Sequence, residues 1–78
     1  MQIFIRTTIG KMYTVDVSGH MTVEELKKEI YNRTGIRPDS QKLLFVGTAL
    51  DNNKTLEDYN VKEECTVYLV PILVGGYF

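Results

Sequence analysis

Seventy-eight residues, 44% of them hydrophobic, are enough for one compact core but too few for two domains or for an enzyme with a deep cleft. Nine basic against ten acidic residues give a net charge of -1, and no Lys/Arg cluster runs along the chain, so nucleic acid is set aside as a partner. No apolar run approaches membrane-spanning length, and the single cysteine cannot close an internal disulfide, so the core alone must hold the fold.

The first residues, "MQIFIRTTIG", alternate apolar and polar, which is a strand pattern and not the charged and apolar regions of a signal peptide. A cytoplasmic and nuclear monomer without membrane partners is therefore expected. Over Gln2 to Thr7, Ile3 and Ile5 take one face while Gln2, Phe4 and Arg6 take the other. After "TIGK", where Gly10 can take a positive φ, the pattern resumes with Tyr13, Val15 and Val17 facing in and Met12, Thr14 and Asp16 facing out. The pair reads as a β-hairpin with a loop longer than two residues.

At "MTVEELKKEIYNRTG" the period becomes helical. Thr22 is an N-cap and Glu25 completes a capping box, with Met21 and Leu26 spaced as a hydrophobic staple across it. Val23, Leu26 and Ile30 form the inward stripe, with Lys27 alongside, and Gly35 then Pro38 stop the helix. "QKLLFVG" reads as a short strand with Leu43 inward and Lys42 and Leu44 outward. "TALDNNKTLEDYNV" reads mostly as loop, pinned by Leu50, Leu56 and Val61. The last strand, "CTVYLV", opens at Cys65 and sends Val67 and Leu69 inward, Tyr68 and Val70 outward. The expected class is α+β, with one helix packed across a mixed sheet.

Chemistry finds little foothold. His20 lies in a polar loop and Cys65 at a strand start, with no third group to orient either, so no catalytic residue is expected. Glu63 and Glu64 read as a solvated turn rather than a metal site, and no cofactor is expected. Binding is better supported: Leu44, Tyr68 and Val70 are all outward, and Gly47 and Ala49 follow close behind Leu44. Phe4 and Met12 form a second, smaller outward pair.

"MQIF", "TGIRPDSQKLLFVG", "TLEDYNV" and the final "LV" with "GG" resemble the ubiquitin family in order and, without a gap from Met1 to Gly76, in spacing. The resemblance implies a β-grasp fold over residues 1–74 with its tail, a Gly75-Gly76 conjugation hinge, and a removable extension at 77–78. It implies that Gly76 is adenylated, carried as a thioester and joined to a target lysine by an isopeptide bond, so the protein is the substrate of that chemistry and not its catalyst. The implied partners are activating, conjugating and ligase enzymes, a cysteine hydrolase that deconjugates, and domains of the ubiquitin-binding type.

On the same basis Thr8, Leu44, Gly47, Tyr68 and Val70 match the family's docking patch, although Thr8 stands where the family has an aliphatic residue and Tyr68 where it has a histidine. Thr48 and Glu63 occupy the two most used chain-building positions, which leaves Lys11, Lys27 and the Met1 amine for linkage. Pro71, Ile72 and Val74 replace a leucine and two arginines, which puts recognition by the ordinary activating enzyme in question. The alternatives are a non-conjugated interaction domain, in which Gly-Gly begins a linker, and a sulfur carrier, which shares the fold and a reactive Gly-Gly but normally lacks the "TLEDYN" loop.

Overall fold

The structure is a computed structural model that describes residues 1–72. Its elements are β1 (Gln2–Thr7), β2 (Met12–Asp16), α1 (Val23–Thr34), a 3-10 turn (Pro38–Ser40), β3 (Gln41–Phe45), β4 (Thr48–Ala49), a second 3-10 turn (Glu57–Tyr59) and β5 (Thr66–Pro71). The sheet order is β2-β1-β5-β3-β4, with β1 and β5 parallel and the other neighbours antiparallel. A parallel central pair needs a long crossover, and α1 is the helical part of the chain that separates β1 and β2 from β3 and β5.

The strand alternation places Ile3, Ile5, Val15, Leu43, Val67 and Leu69 in the core, where they meet Val23, Leu26 and Ile30 of α1. Each of these nine side chains is essentially sealed from water, and at about 1.5–3 kcal/mol each their burial is the main force holding helix to sheet. Leu50, Leu56 and Val61 close the core from the long segment after β3, which contains β4 and the second 3-10 turn where periodicity reads mostly loop.

The helix begins as its sequence dictates. The Thr22 hydroxyl accepts from the Glu25 N–H at 3.1 Å, and the Glu25 carboxylate accepts from the Thr22 N–H at 2.9 Å. Gly35 ends the helix at φ 77, where its N–H donates to the Tyr31 carbonyl. β5 starts at Thr66, one residue later than the alternation suggests. Cys65 still joins the ladder edge through its carbonyl, which accepts from the Phe4 N–H at 2.8 Å, while its Sγ accepts from the Lys62 N–H.

Gln41 is the buried polar residue that patterning does not reveal. Its Nε2 donates to the carbonyls of Lys27 and Ile36, both at 2.9 Å, and so ties the segment after α1 back onto the helix. Its Oε1 is buried without a partner.

Candidate docking face

The outer face of the sheet carries apolar side chains that no other element of the described residues covers. Leu44 of β3 lies directly opposite Tyr68 of β5, and Lys42 opposite Val70, so both pairs share the outer face. Tyr68 is 50% exposed, Leu44 and Val70 are half-buried, and Ala49 joins the cluster as the partner of Leu44 across β3 and β4. The two strands that supply the patch are held in register by the buried pair Leu43 and Leu69, so the outward positions are fixed by the core beneath them.

Gly47 sits in the two-residue connection from β3 to β4, at φ 75, and the residue before it, Val46, is also left-handed at φ 52. Two successive positive φ values make this a turn of the kind that matches strand twist, a position where Asn-Gly is at ease and a β-branched residue is not. Val46 is 84% exposed there. Thr8 lies exposed in the β1–β2 loop, beside Ile9 at 81% exposure. That loop is closed by the Thr7 N–H donating to the Lys11 carbonyl at 2.9 Å and by Gly10 at φ 85.

The candidate linkage amines differ in environment. Lys11 is exposed at the end of the hairpin loop. Lys27 is buried on the inner side of α1, unlike exposed Lys11. Burial lowers the Lys27 pKa below the ordinary lysine range, opposed by the carboxylates of Asp51 and Glu24. The Met1 amine donates to the Val17 carbonyl at 2.8 Å and is partly buried. Gly75 and Gly76, and the residues 77–78 expected to be removable, lie outside the described residues.

His20 and Glu57 approach to 3.6 Å, both widely exposed, while Cys65 packs against the core. Glu63 spreads both carboxylate oxygens, each 3.2 Å away, over the Gln2 N–H, and so closes a turn as a hydrogen-bond acceptor. An open depression of about 310 Å³, lined by Met1, Gly19, Glu57, Asn60, Val61 and Lys62, sets no nucleophile beside a base. Among the described residues no three His, Cys, Asp or Glu side chains cluster as metal ligands, and no helix is long and apolar enough to cross a membrane.

A five-stranded mixed sheet in the order β2-β1-β5-β3-β4, crossed on one face by a single helix, defines a β-grasp protein of the ubiquitin-like kind. The chain belongs to the ubiquitin family: a family model described as "Ubiquitin family" matches residues 3–71. It is similar to Ubiquitin-like protein 1 of Schizosaccharomyces pombe, 29% identical over 76 residues that cover 97% of each chain. It is also similar to Ubiquitin-like protein NEDD8 of Dictyostelium discoideum, 28% identical over 76 residues that cover 97% of this chain and 99% of the relative. Members of this family act as modifiers rather than as enzymes.

Proposed function

We propose that this protein is a ubiquitin-like modifier attached to lysines of other proteins through Gly76 and read by partner domains on the outer face of its sheet. The observation that carries the reading is the union of a complete β-grasp domain, presenting Leu44 against Tyr68, with the sequence Gly75-Gly76 a few residues beyond β5. Two glycines offer backbone without side chains, which suits a segment that must thread narrow enzyme channels.

The chemistry has four steps. A cysteine hydrolase adds water across the Gly76–Tyr77 bond and frees the Gly76 carboxylate. An activating enzyme joins that carboxylate to the α-phosphate of ATP with loss of pyrophosphate, and an enzyme thiolate displaces AMP to give a thioester. Conjugating and ligase enzymes then bring a lysine amine to the thioester carbonyl, and the thiol leaves as the isopeptide bond forms. Cytoplasm and nucleus are the proposed setting. Lys11, exposed at its loop, is the preferred point for self-attachment.

A second reading, a domain that binds without being conjugated, is favoured by Ile72, an apolar residue 41% exposed where the resemblance implies an arginine. The two readings separate in an ATP-dependent assay with activating enzyme from the source cells. The form ending at Gly76 should give a reductant-sensitive adduct on the enzyme, and the 78-residue form should not. Absence of an adduct from both forms would favour the non-conjugated domain.

A further inference from the structure

Pro71 is the last residue of β5, a strand with neighbours on both sides, and a proline there removes a backbone donor. Two hydrogen bonds show which way that donor would have pointed. The Ile72 N–H donates to the Ser40 carbonyl at 2.7 Å, so even-numbered residues of this stretch turn their backbone polar groups toward β3. The Phe4 N–H donates to the Cys65 carbonyl at 2.8 Å, so odd-numbered residues turn theirs toward β1. Position 71 therefore faces the β1 side, where the pairing of β1 with β5 has already ended at Thr7 and Leu69. The proline forfeits no ladder bond. Its ring fixes φ one residue before the tied Ile72, and it holds the preceding Val70 extended.

The support that receives the Ile72 bond is itself braced. Ser40 closes the 3-10 turn that opens at Pro38, and its N–H donates to the Arg37 carbonyl at 2.9 Å. Gln41, next in sequence and opposite Pro71, is buried and donates through Nε2 to the carbonyls of Lys27 and Ile36. Successive residues are thus fastened to a fixed post: Val70 by the ladder, Pro71 by its ring and Ile72 by its N–H.

We propose that Pro71 and the Ile72–Ser40 bond form a tether that sets the pivot of the Gly-Gly tail at Ile72, which makes Pro71 a positioning residue for activation. The inference rests on the modifier reading and adds a determinant of its first encounter with enzyme. Only residues 73–76 lead from Ile72 to Gly76, so the Gly76 carboxylate stays within ~14 Å of that pivot. A pivot at Val70 would free residues 71–76 and extend the reach to ~21 Å. Accessible volume grows as the cube of reach, so the tether raises the concentration of the carboxylate at a site engaged by the folded domain by about three-fold. Once placed, the carboxylate reacts in the same way from either pivot. The effect therefore falls on KM and not on kcat.

The test uses the Gly76-ended protein in two altered forms. Pro71→Gly frees the backbone, and an ester in place of the Pro71–Ile72 amide deletes the N–H while keeping both side chains. In the unaltered protein, NMR is expected to show a scalar coupling across the hydrogen bond from the Ile72 nitrogen to the Ser40 carbonyl carbon, with slow amide exchange at Ile72. Pro71→Gly should speed that exchange by ~10-fold. Both altered forms should raise KM for thioester formation with activating enzyme from the source cells by ~3-fold at unchanged kcat. A role confined to holding the fold would lower the melting temperature and leave KM where it was.

Absence of the coupling and of slow exchange in the unaltered protein overturns the tether. Thioester formation by both altered forms with unchanged KM overturns the positioning role while the modifier reading stands. A fall in kcat also overturns it, since Pro71 would then act during the chemistry itself. If the unaltered protein forms no thioester, the modifier reading is overturned and this inference with it.

Discussion

Leu44 and Tyr68 face each other across β3 and β5 on the outer side of the sheet, while their neighbours Leu43 and Leu69 face each other on the inner side. One strand pair thus contributes to both the core and the outer face, and a single step in sequence separates the two sides. Leu44→Ala is expected to weaken binding of ubiquitin-binding-type domains by ~10-fold with about 1 kcal/mol or less lost in stability. Leu43→Ala is expected to cost about 2–5 kcal/mol, because it leaves a cavity beneath the helix. Paired denaturant melts and titrations check this, and equal stability losses at the two positions would remove the division of faces.

Val46 holds a left-handed backbone at φ 52 while 84% exposed, so it takes on strain without burying apolar surface within the domain. Left-handed geometry costs a residue with a Cβ roughly 1–2 kcal/mol, and Asn tolerates it through local hydrogen bonding. Val46→Asn should therefore raise stability by about 1 kcal/mol, seen as a higher denaturant midpoint at unchanged slope. A lower midpoint would mean that the valine makes contacts that outweigh the strain.

Two carboxylates tie stability to acid. The Thr22 N–H, then its hydroxyl, hold Glu25 below the ordinary carboxylate range, and the Thr55 N–H and hydroxyl do the same for Asp58. A depressed folded pKa means that the folded state binds fewer protons than the unfolded chain over the window between the two values. Stability from these caps is therefore full above about pH 4–5 and is lost as pH falls through the depressed values. Glu25→Gln with Asp58→Asn should lower stability at neutral pH and flatten the acid limb, so that the two proteins converge in acid once the depressed carboxylates are protonated. A gap between them that does not narrow in acid would show that the carboxylate charge is not what stabilises the caps.

Much of this fold is legible in the sequence because its signals are local. Ile3 and Ile5, Val15 and Val17, and Val67 and Leu69 mark inward faces by alternation alone, and Thr22 with Glu25 marks the helix start by side-chain chemistry. β4 is not legible: Thr48 and Ala49 are too few to show a period, and both are exposed. Gln41 escapes notice because long polar side chains are ordinarily solvated, and its burial follows from how the segment after α1 folds back. Leu44, Tyr68 and Val70 are readable as outward positions, but that β1 lies beside β5 is not, since that pairing is set by tertiary topology.

The tail gives a gain-of-function test. Ile72 and Val74 stand where the resemblance implies two arginines that an activating enzyme can read through charge-assisted contacts. Ile72→Arg with Val74→Arg is expected to raise the rate of thioester formation with the ordinary ubiquitin-activating enzyme by ~10-fold or more. No gain with the Gly76-ended protein would assign recognition to Pro71 or to the sheet face.

Conjugation itself leaves a covalent mark peculiar to this sequence. Val74 replaces a tryptic site close to the glycines, so cleavage after Lys62 leaves residues 63–76 on the modified lysine instead of a short remnant. The deciding measurement is mass spectrometry of the endogenous protein and its slower-migrating forms, digested with trypsin. Branched peptides are expected in which target lysines, with Lys11 preferred over buried Lys27 for self-attachment, carry the segment from Glu63 to Gly76 in isopeptide linkage. Recovery of that segment only as a linear peptide running on through Tyr77 and Phe78, with no branched form, would contradict the assignment as a modifier.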